Sequence, residues 1–374
     1  MNNSFSLDHL YTNLITEHEE DIAAIKQCIA QHHNSFIYFP AHEPIDTILK
    51  KIKDSISDSH NAIYFDLKNA FTPKGLLSYL TKELLKSSSS KLTDIFEFAN
   101  KYMPNLKPQF YKQGLLKTEL TINYSINEQT IYTFLRDLLD AIPLIAQETG
   151  KPFLIIFNNY DNIYTIDKRL TEEIFRDKIA KQKNINYIFA CSNEEHIAKI
   201  FDKKLAHNYK IKKMQVIKPL SEETKKNYIL TTFRNNGFSI EDPVIEQIIK
   251  KTSNLHNIFL LCHKLFHRNL HKKSISTNAI KEIIQEIIRE LSPSYLTIWS
   301  NLSPHQKTLL YALGSKGGNQ IFSAKFLVEN DLGSAPSVQT SINALIKKSI
   351  LAKKEKEFYF CDYFFREWIL LILS

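Results

Sequence analysis

Three groups of side chains stand where phosphate and metal chemistry would be carried out. The first lies in residues 35–52, SFIYFPAHEPIDTILKKI. It reads as an apolar strand at 36–39, a turn holding Pro40 and Pro44, and an amphipathic helix from about Asp46 with Ile48, Leu49 and Ile52 on one face. Strand, turn and helix form the frame in which the pattern Gly-x-x-x-x-Gly-Lys-Ser/Thr wraps phosphates in backbone N–H groups, reaches them with lysine and holds magnesium with a hydroxyl. Aligned on strand and helix, those four positions hold Phe39, Pro44, Ile45 and Asp46. Proline donates no N–H, isoleucine brings no charge, and aspartate repels a triphosphate unless a metal intervenes. These residue types argue against tight triphosphate binding.

The second group ends the continuous apolar run 151–159, KPFLIIFNN, a strand of the kind buried between helices in a parallel sheet. A nucleotide hydrolase places an aspartate for magnesium at the carboxyl end of such a strand, and commonly a glutamate to activate water. Here Asn158 and Asn159 occupy the place. An amide neither carries the charge that holds the metal nor takes a proton. The third group follows another strand, 186–191, and is Ser192 with Asn193. A polar residue there could sense a γ phosphate, although capping the next helix is the simpler role. The Thr-Gly-Lys at 149–151 precedes a strand instead of opening a helix, so it is no phosphate loop.

The elements that must position these residues alternate. A helix over 14–30 is expected to start with a capping box, Thr16 with Glu19, and to bury Ile22, Ile25 and Ile29. A second strand is read at 61–67, a helix at 72–86 with Pro73 in its first turn, a serine loop at 87–90, a small β insertion within 102–123 and a long helix at 128–149. Strands alternating with helices from 36 to 216 predict an α/β fold: an open, mainly parallel sheet with helices on both faces.

Beyond Pro219 the pattern is wholly helical: 221–236, opened by a Ser221 cap, then 243–252, 256–267 and 277–291. His256, His263, His267 and His271 lack a repeated carboxylate or cysteine partner, so packed or solvated histidines are expected there rather than a metal site. Prolines 293 and 304 predict a hinge at 291–301. Three helices follow, at 304–314, 323–330 and 334–349, and then a charged-tip hairpin at 350–360, which together spell a winged helix-turn-helix. Its third helix is expected to bury Val338, Ile342, Leu345 and Ile346. Ser337, Gln339, Thr340, Asn343 and Lys347 are left to meet base edges, with Lys353, Lys354 and Lys356 on phosphates. No arginine stands in that helix, which leaves a packing or partner module as the alternative. The closing FYFCDYFFREWILLILS is expected to pack back as a terminal helix, or to form a face between copies in a homo-oligomer.

In its order of segments the chain resembles the prokaryotic AAA/STAND-type ATPases, the archaeal-ATPase-like family of P-loop proteins. The segments that carry the likeness are ITEHEEDIAAI, FLIIFNNYDNI, IFACSNEEHIAKIF, IKPLSEETKKNYILTTFRNNGFSI, TSNLHNIFLLCHKLF and SPHQKTLLYALGSKGG. The likeness covers nearly the whole chain, and its specificity lies in the order rather than in one motif. It implies a P-loop NTPase-like core over 1–216, a helical lid over 217–290 and a winged-helix domain over 291–374, with ATP and magnesium as the family's cofactors. The departures at 39–46 and 158–159, and Ser253, Asn254 and Leu255 in place of a Gly-x-Pro-like turn, put hydrolysis in doubt. The expected role is a non-hydrolysing regulatory or scaffold protein. The alternatives are an ATP-dependent switch with atypical phosphate contacts and a winged-helix DNA binder.

Composition sets the outer limits. The 374 residues are 43% hydrophobic and 24% charged, which is ordinary for a globular chain of two or three domains. Cys28, Cys191, Cys262 and Cys361 are too scattered for a zinc site or disulfide framework. No apolar run reaches the length of a membrane span and the first residues show no signal-peptide pattern, so a cytoplasmic protein with reduced thiols is expected. The net charge of +8 is uneven: 22 basic residues against 26 acidic over 1–202, 17 against 8 over 203–290, and 9 against 6 over 291–374. A basic rear half fits DNA or an acidic protein partner, and equally a solvated lysine-rich surface.

Overall fold

The apolar runs that lack any helical period become the central strands of a parallel sheet. In the computed structural model, which describes residues 15–39, 45–88, 92–103, 109–110, 122–123, 128–167, 170–192, 209–252, 254–354 and 356–373, the strands are β1 (Asn34–Tyr38), β2 (Asn61–Asp66), β3 (Gln109–Phe110), β4 (Ile122–Asn123), β5 (Phe153–Asn158), β6 (Ile185–Cys191) and β7 (Ile211–Val216). The five long ones lie in the order β2-β5-β6-β1-β7 and all pair in parallel. Every residue of β5 and β6 is buried, as a doubly covered sheet requires. The order reverses at β1, which has β6 on one side and β7 on the other. The crevice beyond the carboxyl ends of the strands at such a switch point is where open α/β sheets bind ligands.

Helices α1 (Glu19–Ala30), α2 (Ile45–Ile56), α3 (Pro73–Ser88), α4 (Leu92–Tyr102), α5 (Glu128–Thr149) and α6 (Leu170–Ile179) accompany this sheet. Phe157 is the hub of the core: its ring packs on Phe65 at 5.4 Å and Phe175 at 5.3 Å, with Tyr187 and Phe189 at 6.2 and 6.0 Å. Ile22, Ile25 and Ile29 are buried as their spacing demands. The expected capping box is not formed: α1 begins at Glu19 with His18 at its N-cap and no side-chain cap, because Thr16 falls in a preceding 3-10 turn. The serine loop is likewise shorter than expected, since α3 runs on through Ser87 to Ser88. Of the β insertion the structure shows a two-residue antiparallel ladder between β3 and β4, and the rest of that stretch lies outside the described residues.

A second compact unit spans 220–374. It contains α7 (Glu222–Asn235), α8 (Asp242–Lys250), α9 (Leu255–Arg268), α10 (Thr277–Ser300), α11 (Pro304–Lys316), α12 (Ala324–Glu329), α13 (Ala335–Lys347), strands β8 (Leu351–Lys354) and β9 (Glu357–Phe360), and α14 (Tyr363–Leu373). One hydrophobic core joins these helices, from Leu220 through Ile258 and Ile287 to Trp368. Ser221, Asn254, Ser276, Ser303 and Ser323 each cap a helix N-terminus through a side-chain oxygen, and Ser303 with Gln306 completes a capping box.

The hinge expected at 291–301 is instead the C-terminal part of α10 with its cap, Asn301, and the helix continues through Pro293. Pro293 is exposed and, lacking an N–H, gives the Arg289 carbonyl no helical partner. Packing supplies the rest. Tyr295 lies against Phe365 and Trp368 at 5.1 and 5.8 Å between ring centres, and Trp368 Nε1 donates to Ser292 Oγ at 2.9 Å. The C-terminal helix α14 does pack back, burying Phe364, Phe365, Trp368 and Ile369.

Candidate functional site

Of the four positions where phosphate chemistry would be housed, Phe39 is buried and extends the pairing of β1 by one step, its N–H donating to Cys191 O at 3.1 Å. Pro40 and Pro44 lie outside the described residues. Ile45 opens α2 and is 5% exposed, packed beneath the helix where a lysine would reach outward. Asp46 is exposed in the first turn, where the positive end of the helix dipole favours its charge.

Asp46 and Asn158 meet. The Asn158 side-chain amide donates to Asp46 Oδ1, the Tyr64 hydroxyl donates to the same oxygen at 2.8 Å, and Asn158 Nδ2 lies 2.9 Å from the Tyr64 hydroxyl. Asn158 is 1% exposed, and its remaining oxygen accepts the Asn159 N–H at 2.9 Å. Asn159 stands in the left-handed region at φ 52°, a conformation asparagine tolerates, and donates to Asp66 Oδ1 at 2.8 Å. Burial first, and then the Asp46 carboxylate, push the Tyr64 hydroxyl well above the ordinary tyrosine range, which keeps it a donor.

Tyr64 and Asp66 escaped the sequence reading. Their only signal is that they alternate with Ile63 and Phe65 on β2. What brings them to the site is the parallel register that sets Asp66 opposite Asn158 and Tyr64 opposite Ile156.

Among the described residues these side chains are bonded to one another. The Asn158 amide turns its N–H groups toward Asp46 and its oxygen toward the Asn159 backbone, and Ile45 supplies no ammonium. What the arrangement does is tie the first turn of α2 to the ends of β2 and β5 with side chains alone. Ser192 is half-buried just past β6, and its neighbours from Asn193 lie outside the described residues.

In the other unit, α13 presents its expected face. Val338, Ile342 and Leu345 are buried, whereas Ser337, Gln339, Thr340, Asn343 and Lys347 are exposed. Ile346 does not join the core as expected but is 37% exposed, because it lies one step round the helix from the Val338, Ile342 and Leu345 stripe. Gln339 Nε2 donates to Asn343 Oδ1 at 2.8 Å and Thr340 Oγ1 to Pro336 O at 3.0 Å, so the polar row is partly held in place. Behind it, His305 bridges Ser341 Oγ at 2.8 Å and Leu332 O at 3.0 Å, which fixes α13 against α11.

Lys353 is exposed with its ammonium 5.5 Å from the centre of the Phe358 ring, and Lys356 is exposed at the hairpin tip. Lys354 lies on β8, and its side chain is outside the described residues. Gly318 lets the chain before α12 approach the outer edge of β9: its carbonyl accepts the Phe358 N–H at 3.2 Å, and a Cβ there would stand 1.7 Å from Phe358 O.

Among the described residues no cluster of His, Cys, Asp and Glu could hold a metal, and no helix is long and apolar enough to cross a membrane. His263 and His267 meet edge to face at 4.4 Å between ring centres.

Residues 293–370 match a family model described as "Probable winged helix domain". Among solved structures, a Walker-type ATPase of Pyrococcus abyssi superposes with a TM-score of 0.61 at 15% identity, over 94% of this chain and 95% of that one. The ORC1 protein of Aeropyrum pernix in complex with DNA gives 0.52 at 11% identity over 96% and 94%, and ORC2 of the same organism gives 0.51 at 10% over the same shares. The fold is that of the winged-helix P-loop ATPases. Among curated proteins none matches the chain by sequence. The family likeness seen in the order of segments therefore holds at the level of fold, where the switch point of the sheet lies beside Phe39 and the winged helix closes the chain.

Proposed function

We propose that this winged-helix P-loop ATPase-fold protein does not hydrolyse ATP and works as a regulatory or scaffold protein, through binding. The observation that carries this reading is the network of Asp46, Tyr64 and Asn158. It satisfies with the chain's own side chains the groups that would otherwise face magnesium and phosphate. A triphosphate arriving there would meet the Asp46 carboxylate without a lysine to offset it. The test is calorimetric titration with ATP and magnesium beside a phosphate-release assay. The expected result is no saturation in the micromolar range and no release. Micromolar binding, with turnover lost in Asp46→Ala or Asn158→Ala, would overturn the reading in favour of an ATP-dependent switch with phosphate contacts drawn from other residues.

The binding surface of the proposed role is the winged helix, and DNA is the partner favoured. Support comes from the exposed row of Ser337, Gln339, Thr340 and Asn343 flanked by the cations of Lys347, Lys353 and Lys356, and from the Aeropyrum ORC1 structure, a protein of this fold solved with DNA. In a gel-shift assay Lys347→Ala and Lys353→Ala should each weaken binding and lower the salt slope by about 1. Unchanged affinity in both variants would leave an acidic protein partner or a packing module as the role of this face.

A further inference from the structure

We infer that the helical unit carries a binding pocket for a small organic acid with an aromatic or bulky apolar body. A cavity of about 410 Å³ opens between the last two turns of α10, the end of α13, the start of β8 and the start of α14. That volume is within the ordinary size of small-molecule sites. Its walls are the buried Tyr295, Leu302, Ile350 and Phe365, with Ile298, 39% exposed, at the mouth. The aromatic wall is stiff. Phe365 stacks on Trp368 at 5.8 Å with an interplanar angle of 14°, and Tyr295 packs on both.

The polar groups of the cavity differ in how far they are already satisfied, and this selects the ligand's charge. Asp362 lines it, but its Oδ1 accepts from Phe364 N at 2.9 Å and Asn257 Nδ2 at 3.2 Å, and its Oδ2 from the Tyr295 hydroxyl at 2.8 Å. Burial and this carboxylate hold the Tyr295 hydroxyl far above the ordinary tyrosine range, so it remains a donor committed to Asp362. Lys348, at the rim, is different. Its ammonium donates to the Asn301 carbonyl at 3.2 Å and forms none of the ion pairs found among the described residues. An ammonium has three donors, so two remain for a ligand at this rim. The carbonyl ends of α10 and α13 oppose an anion here, yet they act as partial charges, one of which Lys348 already covers. A carboxylate in direct contact with the ammonium gains a charge-assisted hydrogen bond. An apolar body in the aromatic slot with a carboxylate at Lys348 is the occupant these features fit. The inference does not depend on the DNA or ATP readings.

The probe is 2-naphthoate, titrated by calorimetry into the full chain, with 2-naphthamide and 2-naphthylmethylamine as the neutral and cationic counterparts. Saturable one-to-one binding of the acid is expected, at least ten-fold tighter than either counterpart. Lys348→Met, which keeps the apolar stem, should remove that preference and leave the amide's affinity unchanged. Ile298→Trp at the exposed mouth should block all three. Both substitutions are at exposed positions, and thermal melts check that each variant folds. The proposal is overturned by failure of the acid to bind, by equal or tighter binding of the amide or amine, or by Lys348→Met binding the acid as wild type does.

Discussion

Changing Asn158 to aspartate puts the network at the end of β5 to its sharpest test. In wild type the Asn158 amide donates to Asp46 and lies 2.9 Å from the Tyr64 hydroxyl, in a position only 1% exposed. Asn158→Asp removes the charged hydrogen bond, worth about 1.5–3 kcal/mol, and a neutral one worth about 1 kcal/mol. It also sets a second carboxylate against Asp46. At a separation of about 4 Å and an effective dielectric near 20 that repulsion reaches about 4 kcal/mol. Asp46 is exposed, which weakens the repulsion, and the new pair can share one proton, which caps it. A net loss of about 2–4 kcal/mol near pH 8 follows from these terms.

The sign of the pH dependence is fixed by the shared proton. A carboxyl that must be protonated to sit beside Asp46 has its folded pKa raised above the unfolded value, so the folded variant binds more protons and its stability falls as pH rises. The deficit should therefore be largest near pH 8 and shrink toward about pH 5. Denaturant melts of wild type, Asn158→Asp, Asp46→Asn and the exchanged double variant give the full cycle. The exchange restores one acid and one amide, and should recover at least about 1.5 kcal/mol relative to the sum of the single changes. Wild-type stability for Asn158→Asp near pH 8, or a cycle with no coupling, would refute the claim that these side chains hold one another.

Two further outcomes follow from the packing. Gly318→Ala drives a Cβ into the Phe358 carbonyl, 1.7 Å away in the unrelaxed backbone, and should cost about 2–4 kcal/mol with the Phe358-to-Gly318 hydrogen bond lost; a thermal melt matching wild type would show that the backbone at Gly318 does not lie against β9 as described. Burial raises Tyr209 and Tyr160 well above 10.0, so the folded state resists their ionisation while the unfolded state does not. Stability is thus intact below pH 10 and is lost above it, and absorbance at the tyrosinate band should rise together with loss of helical circular dichroism rather than before it.

The elements that the sequence made legible are those whose period is set by burial on one or both faces. The run FLIIF, 153–157, has no polar residue to face water, so it reads as a central strand; the Ile22, Ile25 and Ile29 stripe and the Val338, Ile342 and Leu345 stripe read as helices because their apolar positions recur at helical spacing. Pro293 misled because proline breaks a helix only when its lost hydrogen bond goes uncompensated. Here it is exposed, and the residues either side of it are anchored on α14. Local sequence contains no statement of that anchor, since Ser292 and Trp368 are far apart in the chain.

The candidate site divides in the same way. Residue types at 45, 46, 158 and 159 announced that lysine, hydroxyl and acid were absent from their expected places, and that follows from the sequence alone. That Asp46 and Asn158 bond to each other, with Tyr64 between them and Asp66 beside Asn159, was decided by β2 pairing with β5 in a register that aligns Asp66 with Asn158. Burial pattern fixes which residues point inward along a strand. Which strand lies next to which depends on contacts between residues far apart in the chain, 92 positions for Asp66 and Asn158, and only the folded sheet settles them.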